Sequence, residues 1–422
     1  MYTNAMKKLL VIGYVWPEPN STAAGSRMLQ LLQCFADDGY LITFASPALA
    51  SPHAVDLSQL NIAAVDIALN DSSFDLFIQQ LQPTVVLFDR FMMEEQFAWR
   101  VEKHCPNALR LLDTEDLHCL RLARQKLAKQ NAAQVILDVD EDALFSDEAV
   151  REVAAILRCD LSVMISRKEI ALLIETFKVP AEQLIYIPYL LSFDKQKRLP
   201  DFTQRQHFMS IGNFRHEPNW DAVLQLKQSI WPLIRKRLPQ AQLHVYGAYP
   251  AKKVTQLHNE KQGFLIKGWV EDAHEIMHNS KVLLAPLRFG AGLKGKFVDA
   301  AQCGLPSVTS TVGAEGFLMN NAALIVSDDF EAFAEHAVKL YEDERLWQPL
   351  QNNCADFLAS HFDKQEHALN LIESINALLN NLAMHRRQNF TGRMLRHHSM
   401  KSTQYMSQWI EVKNKLADLT KE

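Results

Sequence analysis

Residues 281–317 read KVLLAPLRFGAGLKGKFVDAAQCGLPSVTSTVGAEGF. The apolar run 282–286 is too short for a helix and reads as a buried strand. A glycine-rich loop follows, Gly290-Ala291-Gly292-Leu293-Lys294-Gly295-Lys296, then a small-residue helix over 297–303 that Gly304 stops. A second buried strand over 306–311 runs into another glycine loop, Val312-Gly313-Ala314-Glu315-Gly316. Strand, glycine loop, helix, strand is the pattern of a parallel α/β sheet. Such sheets bind ligands where loops leave the carboxyl ends of the strands. Glycine lets the backbone approach a ligand, and helix N-terminal amides attract phosphate. Lys294 and Lys296 add positive charge, so the stretch predicts a pocket for a nucleoside diphosphate. Two lysines beside a loop are equally at home as solvated charges; it is their order between two strands that favours a phosphate site.

Working outward, 208–212 reads as the first strand of this half. A loop over 213–220 follows it, and an amphipathic helix runs from Asp221 to Leu238. Strands at 243–246 and 264–267 precede the quoted stretch, and 323–326 is the last. Residues 193–206 are polar and charged with Pro200, which is the composition of a linker. Upstream, 8–15 reads as a strand, and Pro17 and Pro19 force a loop. Met28, Leu31, Leu32 and Phe35 recur at helical spacing. Gly25 therefore sits at a second helix N-terminus able to meet an anion, or in a plain connecting loop. Arg27 either aims into the cleft or faces solvent. Strands at 85–88 and 108–112 end in Asp89-Arg90 and in Asp113-Thr114-Glu115-Asp116-Leu117-His118. Asp113, Asp116 and His118 could supply acid, base or hydrogen bonds to a ligand's hydroxyls, while Asp113 or Thr114 could equally cap a helix starting near Asp116. Arg121 and Arg124 could contact phosphate, but read more readily as a solvated helix face, and the acid-rich segment 126–150 reads as a mobile helical insertion.

With 422 residues, two domains are the default. A formal net charge of −5 gives no global attraction to nucleic acid. Six scattered cysteines without CxxC spacing suit a reducing compartment. No apolar run reaches the roughly 18 residues that span a bilayer, and 9–15 reads as a strand rather than a signal peptide. These features predict a cytoplasmic protein. The tail beyond 383 holds Arg386, Arg387, Arg393, Arg396 and Lys401 before any acid. It could attract an anionic membrane surface at the inner face, or be a solvated tail. Tyr405, Trp409, Val412 and Leu416 have the spacing of an amphipathic helix.

The pattern Pro286, Gly290 to Lys296, Asp299, Gly304-Leu305-Pro306 and Gly313-Ala314-Glu315-Gly316 resembles the C-terminal domain of family 4 glycosyltransferases. The resemblance is good over 207–380 and looser over 7–125. It implies a GT-B fold, α/β, with two Rossmann-like domains of mainly parallel strands facing a central cleft. The expected parts are 1–195 on the acceptor side, a linker at 196–206, the donor domain at 207–381, and the basic tail 382–422. The implied activity is retaining transfer of a sugar from a nucleotide diphosphate donor to a carbohydrate or lipid-linked acceptor, in surface polysaccharide or glycoconjugate synthesis. It also implies catalytic roles for His118, Asp116 and Lys296. Donor binding would fall to Gly25, Arg215, Val270, Gly290, Ala291, Gly292, Leu293, Lys294 and Asp299. No metal or other cofactor is expected, because lysines can carry the counter-charge of the diphosphate.

This sequence departs from the family at the usual Glu-x7-Glu pair, where it has Ala291 and Asp299, and at a usual Arg and Lys, where it has Asn213 and Pro218. Asp299 still offers two oxygens to a ribose diol, and Arg215 stands near the missing arginine. The departures leave open a non-enzymatic nucleotide-sugar-binding scaffold, or an epimerase of the same fold.

Overall fold

The computed structural model describes residues 6–131, 134–193, 198–317 and 323–419. The expected boundary between 195 and 196 falls outside these residues. The chain forms two parallel sheets. The first holds β1 (Lys8–Ile12), β2 (Leu41–Ser46), β3 (Ala63–Asp66), β4 (Val85–Asp89), β5 (Leu109–Asp113), β6 (Leu161–Met164) and β7 (Leu184–Tyr186), in the order β3-β2-β1-β4-β5-β6-β7. The second holds β8 (Gln206–Ile211), β9 (Leu243–Tyr246), β10 (Phe264–Gly268), β11 (Ser280–Ala285), β12 (Ser307–Thr309) and β13 (Leu324–Val326), in the order β10-β9-β8-β11-β12-β13. Every pairing is parallel, for example Leu9↔Val85 and Leu283↔Ser307. Helices cover both faces of each sheet, so the central strands are buried continuously rather than at alternate residues. β4 (VVLFD) and β5 (LRLLD) are buried along their whole length.

The chain returns to the first sheet near its end. Leu191 N–H donates to the Phe362 carbonyl (2.9 Å) and Lys364 N–H to the Leu191 carbonyl (2.9 Å). Helix Lys364–Asn380 then buries Leu371 and Ile375 in the first domain's core, beside Leu31, Leu32 and Phe35. The basic tail is helical over Phe390–Leu419 and packs on helices Phe91–His104 and Asp147–Arg158. Two of its arginines are structural. Arg386 pairs with the buried Asp160 at 2.6 Å, and Arg396 donates to the Arg158 carbonyl at 3.0 Å. Gly392 is required there, because a Cβ at this position would lie 2.1 Å from the Leu157 carbonyl oxygen.

Three local expectations are corrected. Arg27 faces neither cleft nor solvent: it is fully buried, bonded to both Asp113 oxygens at 2.6 Å and to the Ile187 carbonyl. Asp113 is therefore a core counter-ion and caps nothing. The helix after β5 begins at His118, and its first amides, His118 N–H and Cys119 N–H, both donate at 3.0 Å to the buried Glu152. A carboxylate from another helix thus meets the N-terminal amides that a local cap would have met. The acid-rich insertion is strapped to the second domain. Ile136 N–H donates to the Arg288 carbonyl (2.7 Å), Arg288 donates to the Ala128 and Asn131 carbonyls, and Ile136 packs with Ala128 and Phe289. Its acids, Asp138 and Asp140 to Asp142, face solvent.

Candidate functional site

The loops leaving the carboxyl ends of both sheets face each other. On the first-domain side, Arg90 after β4 and Glu115 after β5 have left-handed backbones, φ 69° and 59°. Such conformations in non-glycine residues cost energy and cluster at functional sites. Beyond Glu115, Asp116 accepts from Arg121 Nη1 at 2.6 Å and lies 3.7 Å from His118 Nε2. Burial opposes ionisation of Asp116, but Arg121, His118 and His216 outweigh it and hold the carboxyl well below its ordinary range. Burial pushes His118 down to about 4, against the pull of Asp116, so its ring is neutral near pH 7.

On the second-domain side, Gly292 has φ 64°, and a Cβ on it would lie 2.9 Å from the Asp116 Cβ. Both the left-handed backbone and the close approach demand glycine. The Gly292 N–H donates to Glu169 Oε1 at 2.7 Å, and the same oxygen takes the Leu117 N–H at 3.2 Å. Burial, with Asp116 nearby, raises Glu169 to about 8. Arg124 is not a solvated side chain. It bonds Glu315 at 2.7 and 2.8 Å and the Gly290 carbonyl at 2.7 Å. Lys294 donates to the Gly292 carbonyl (2.9 Å) and stands 3.7 Å from Glu315. Lys296 follows Gly295 at the first turn of helix Gly295–Gln302 and donates to Asn219 Oδ1 at 2.8 Å. Burial lowers both lysines to about 8, opposed by Glu315 at Lys294 and reinforced by Lys294 at Lys296. His216 keeps part of its surface open to solvent but lies between the cleft walls. That desolvation, with Arg121 nearby, pushes it down to about 4.

The sequence-predicted residues thus fall into groups. Asp116, His118 and Gly292 meet across the cleft, and Lys296, bonded to Asn219, is linked to them through His216, which feels both Asp116 and Lys296. Gly290, Leu293 and Lys294 belong to the same loop, with the Leu293 carbonyl taking the Tyr189 hydroxyl at 3.3 Å. Ala291 packs against the first domain's core. Asp299 is half-exposed on the helix, 3.7 Å from His274. Val270 lines a separate small cavity of about 50 Å³ with Asn20, Ser21, Gly212, Gly247 and Trp269. Arg215 is exposed and stacks on Tyr249, 3.5 Å from the ring centre. The Gly25 amide is committed to Thr22 Oγ1 (2.9 Å), and its Cα is backed against the Glu18 backbone. It therefore shapes the loop and offers no free amide. Glu169, Glu315, Arg90 and His216 are the site residues that sequence reading did not assign. A larger cavity of about 480 Å³ is lined by Arg124, Glu315 and mainly apolar residues such as Leu120, Leu137, Leu172 and Phe317.

Residues 205–343 match the model of the family described as glycosyl transferases group 1. The second domain is a group 1 glycosyltransferase domain. The match spans β11, the glycine loop, Lys294, Lys296 and Asp299. HepE of Anabaena, solved with UDP and glucose, superposes with a TM-score of 0.67 at 13% identity, over 88% of this chain and 100% of that one. Sucrose-phosphate synthase of Thermosynechococcus elongatus gives 0.63 at 15% identity, over 89% and 99%. These likenesses show the fold, which is GT-B. An uncharacterized 44.6 kDa protein in the cps region of Klebsiella pneumoniae is 20% identical over 164 residues, or 37% of this chain. That match spans 42% of the relative's length.

Proposed function

We propose that this protein transfers a sugar, with retention, from a nucleoside diphosphate donor to a carbohydrate or lipid-linked acceptor in surface polysaccharide or glycoconjugate synthesis. The observation that carries this reading is the placement, in a group 1 glycosyltransferase domain, of two half-buried lysines and a helix N-terminus opposite an ionised aspartate and a neutral histidine.

In the reaction, the bond from the anomeric carbon to the diphosphate breaks and the acceptor oxygen bonds that carbon on the same face. The acceptor's proton leaves with the departing phosphate oxygen. Charge develops on the diphosphate, so fixed cations there stabilise the transition state more than the ground state. Lys296 and Lys294 fill that role without requiring a metal. Asp299 holds the ribose diol, Val270 and Arg215 border the base, and neutral His118, positioned by Asp116, hydrogen-bonds the reacting sugar or its acceptor. A cavity of about 50 Å³ at Val270 is far below the roughly 300–1,000 Å³ of ordinary ligand pockets. The donor therefore enters when the two halves part and is held when they close. HepE holds UDP in its structures, including UDP-glucose, so a UDP-hexose is the first donor to try. The site of action is the cytoplasm. The test is release of nucleoside diphosphate from a panel of sugar donors. The reading requires release with at least one donor, stimulated by an acceptor extract; retention of a nucleotide sugar with no turnover would favour the scaffold.

A further inference from the structure

Helix Phe390–Leu419 has two unlike faces. The inner one is fixed to the first domain. Gly392, Arg396, Met400 and Ser407 are buried, Arg158 donates to Ser399 Oγ at 3.1 Å, and Arg100 donates to Ser407 Oγ at 3.3 Å. The outer face carries Tyr405, Trp409, Val412, Leu416 and Leu419, each between 56% and 70% exposed. Their spacing of four, three, four and three residues puts all five on one stripe. Nothing in the fold requires this apolar row: the helix is anchored through its other side. Contiguous exposed apolar surface of this kind marks an interaction site.

The charges around the stripe indicate what covers it. Lys413 and Lys415 flank it on either side, with the Lys413 ammonium 5.2 Å from the Trp409 ring centre. Lys401 is exposed one turn before Tyr405 and extends the same face toward the helix start. Residues 390–419 contain five Lys or Arg (393, 396, 401, 413, 415) and two acids (411, 418), in a chain whose net charge is −5. Glu411 turns inward and accepts from Ser72 Oγ and from Lys415 Nζ, both at 2.7 Å, so Lys401 and Lys413 supply most of the positive border. A Trp- and Leu-bearing stripe bordered by lysines is the composition of a helix that lies in a lipid–water interface. Pairing the stripe with a second copy of itself would bring Lys413 and Lys415 toward like charges, with no row of acids opposite.

We propose that the outer face of helix Phe390–Leu419 docks this protein on an anionic lipid bilayer, with Tyr405, Trp409, Val412, Leu416 and Leu419 at the headgroup boundary. Among the described residues no helix is long and apolar enough to cross a membrane, so the contact is peripheral. The inference does not depend on the transfer reading, and its test reads partition, not turnover.

The experiment is flotation of the full-length chain with vesicles of phosphatidylcholine alone and of phosphatidylcholine with phosphatidylglycerol. Expected is binding to the anionic vesicles that weakens as salt rises. Trp409→Glu with Leu416→Glu should weaken it at least tenfold, with melting temperature unchanged because neither side chain packs on the body. Lys413→Glu with Lys415→Glu should also weaken it, while leaving the stripe intact. Equal binding to both vesicle types, or none to either, would overturn the proposal. So would light scattering that shows a dimer which the Trp409→Glu, Leu416→Glu variant converts to monomer, because the stripe would then be covered by a second copy.

Discussion

The two ends of the interdomain cleft are built differently. At the glycine-loop end, contacts across the cleft are buried and involve ionisable groups: Glu169 to the Gly292 amide, Arg124 to Glu315 and the Gly290 carbonyl, and Tyr189 to the Leu293 carbonyl. At the Val270 end they are more open: Trp269 Nε1 to the Asn20 carbonyl (2.9 Å) and the His53 ring against Trp269, 4.6 Å between centres, both involve the exposed Trp269, while the half-buried Tyr249 donates to the buried Glu18 (2.8 Å). Removing one partner of a buried charged pair strands the other, whereas an exposed contact exchanges readily with water. The difference teaches that the cleft should part most easily at the Val270 end, the side assigned to the base. The glycine-loop end keeps the reacting groups in register.

The sharpest way to break this contrast is to remove a buried charge. Arg124→Ala strips Glu315 of both its arginine hydrogen bonds, leaving only Lys294 at 3.7 Å, and releases the Gly290 and Leu137 carbonyls; it should cost about 3 kcal/mol of unfolding free energy by denaturant titration. Lys296→Ala should lower kcat by about 10²–10³, as loss of one preorganised transition-state donor does, with little change in melting temperature. Glu169→Ala frees two buried amides, Gly292 and Leu117, and should cost about 1–3 kcal/mol. Glu169→Gln keeps an acceptor oxygen and should restore most of the activity. The smallest effect belongs to the exposed end. Tyr249→Phe should cost about 0.5–1.5 kcal/mol at most and appear as a raised donor KM with kcat unchanged. An equal loss of stability from Tyr249→Phe and Arg124→Ala would break the contrast.

Much of this was readable before any coordinates. Short apolar runs separated by glycine loops specify parallel strands, and both sheets are parallel as expected. The order of Gly292, Lys294, Lys296 and Asp299 after a buried strand pointed to the loop that meets Asp116 and His118, although more than 170 residues separate the two sides. Less local features were not readable. Glu169 stands three residues after Ser166 at a helix start, where its spacing suggests a cap; its actual partners lie on two other segments. The left-handed backbone at Arg90 and Glu115 has no sequence signal, since neither is glycine. Arg27 and Arg124 gave no sign of their ion pairs because their counter-ions, Asp113 and Glu315, are 86 and 191 positions away. Ion pairs of this kind leave no spacing in a single sequence.

The central claim is that Lys296 and Lys294 are the counter-charges of a diphosphate. Burial holds both near 8, and a bound diphosphate favours the ammonium form. Affinity should thus be full below about 8 and fall as pH rises above it. The most direct test is calorimetric titration of UDP at pH 8 in buffers of different ionisation enthalpy, with the other nucleoside diphosphates run beside it. The account predicts net proton uptake on binding, reduced in Lys296→Met. Binding that takes up no protons and is indifferent to pH between 7 and 9 would contradict it.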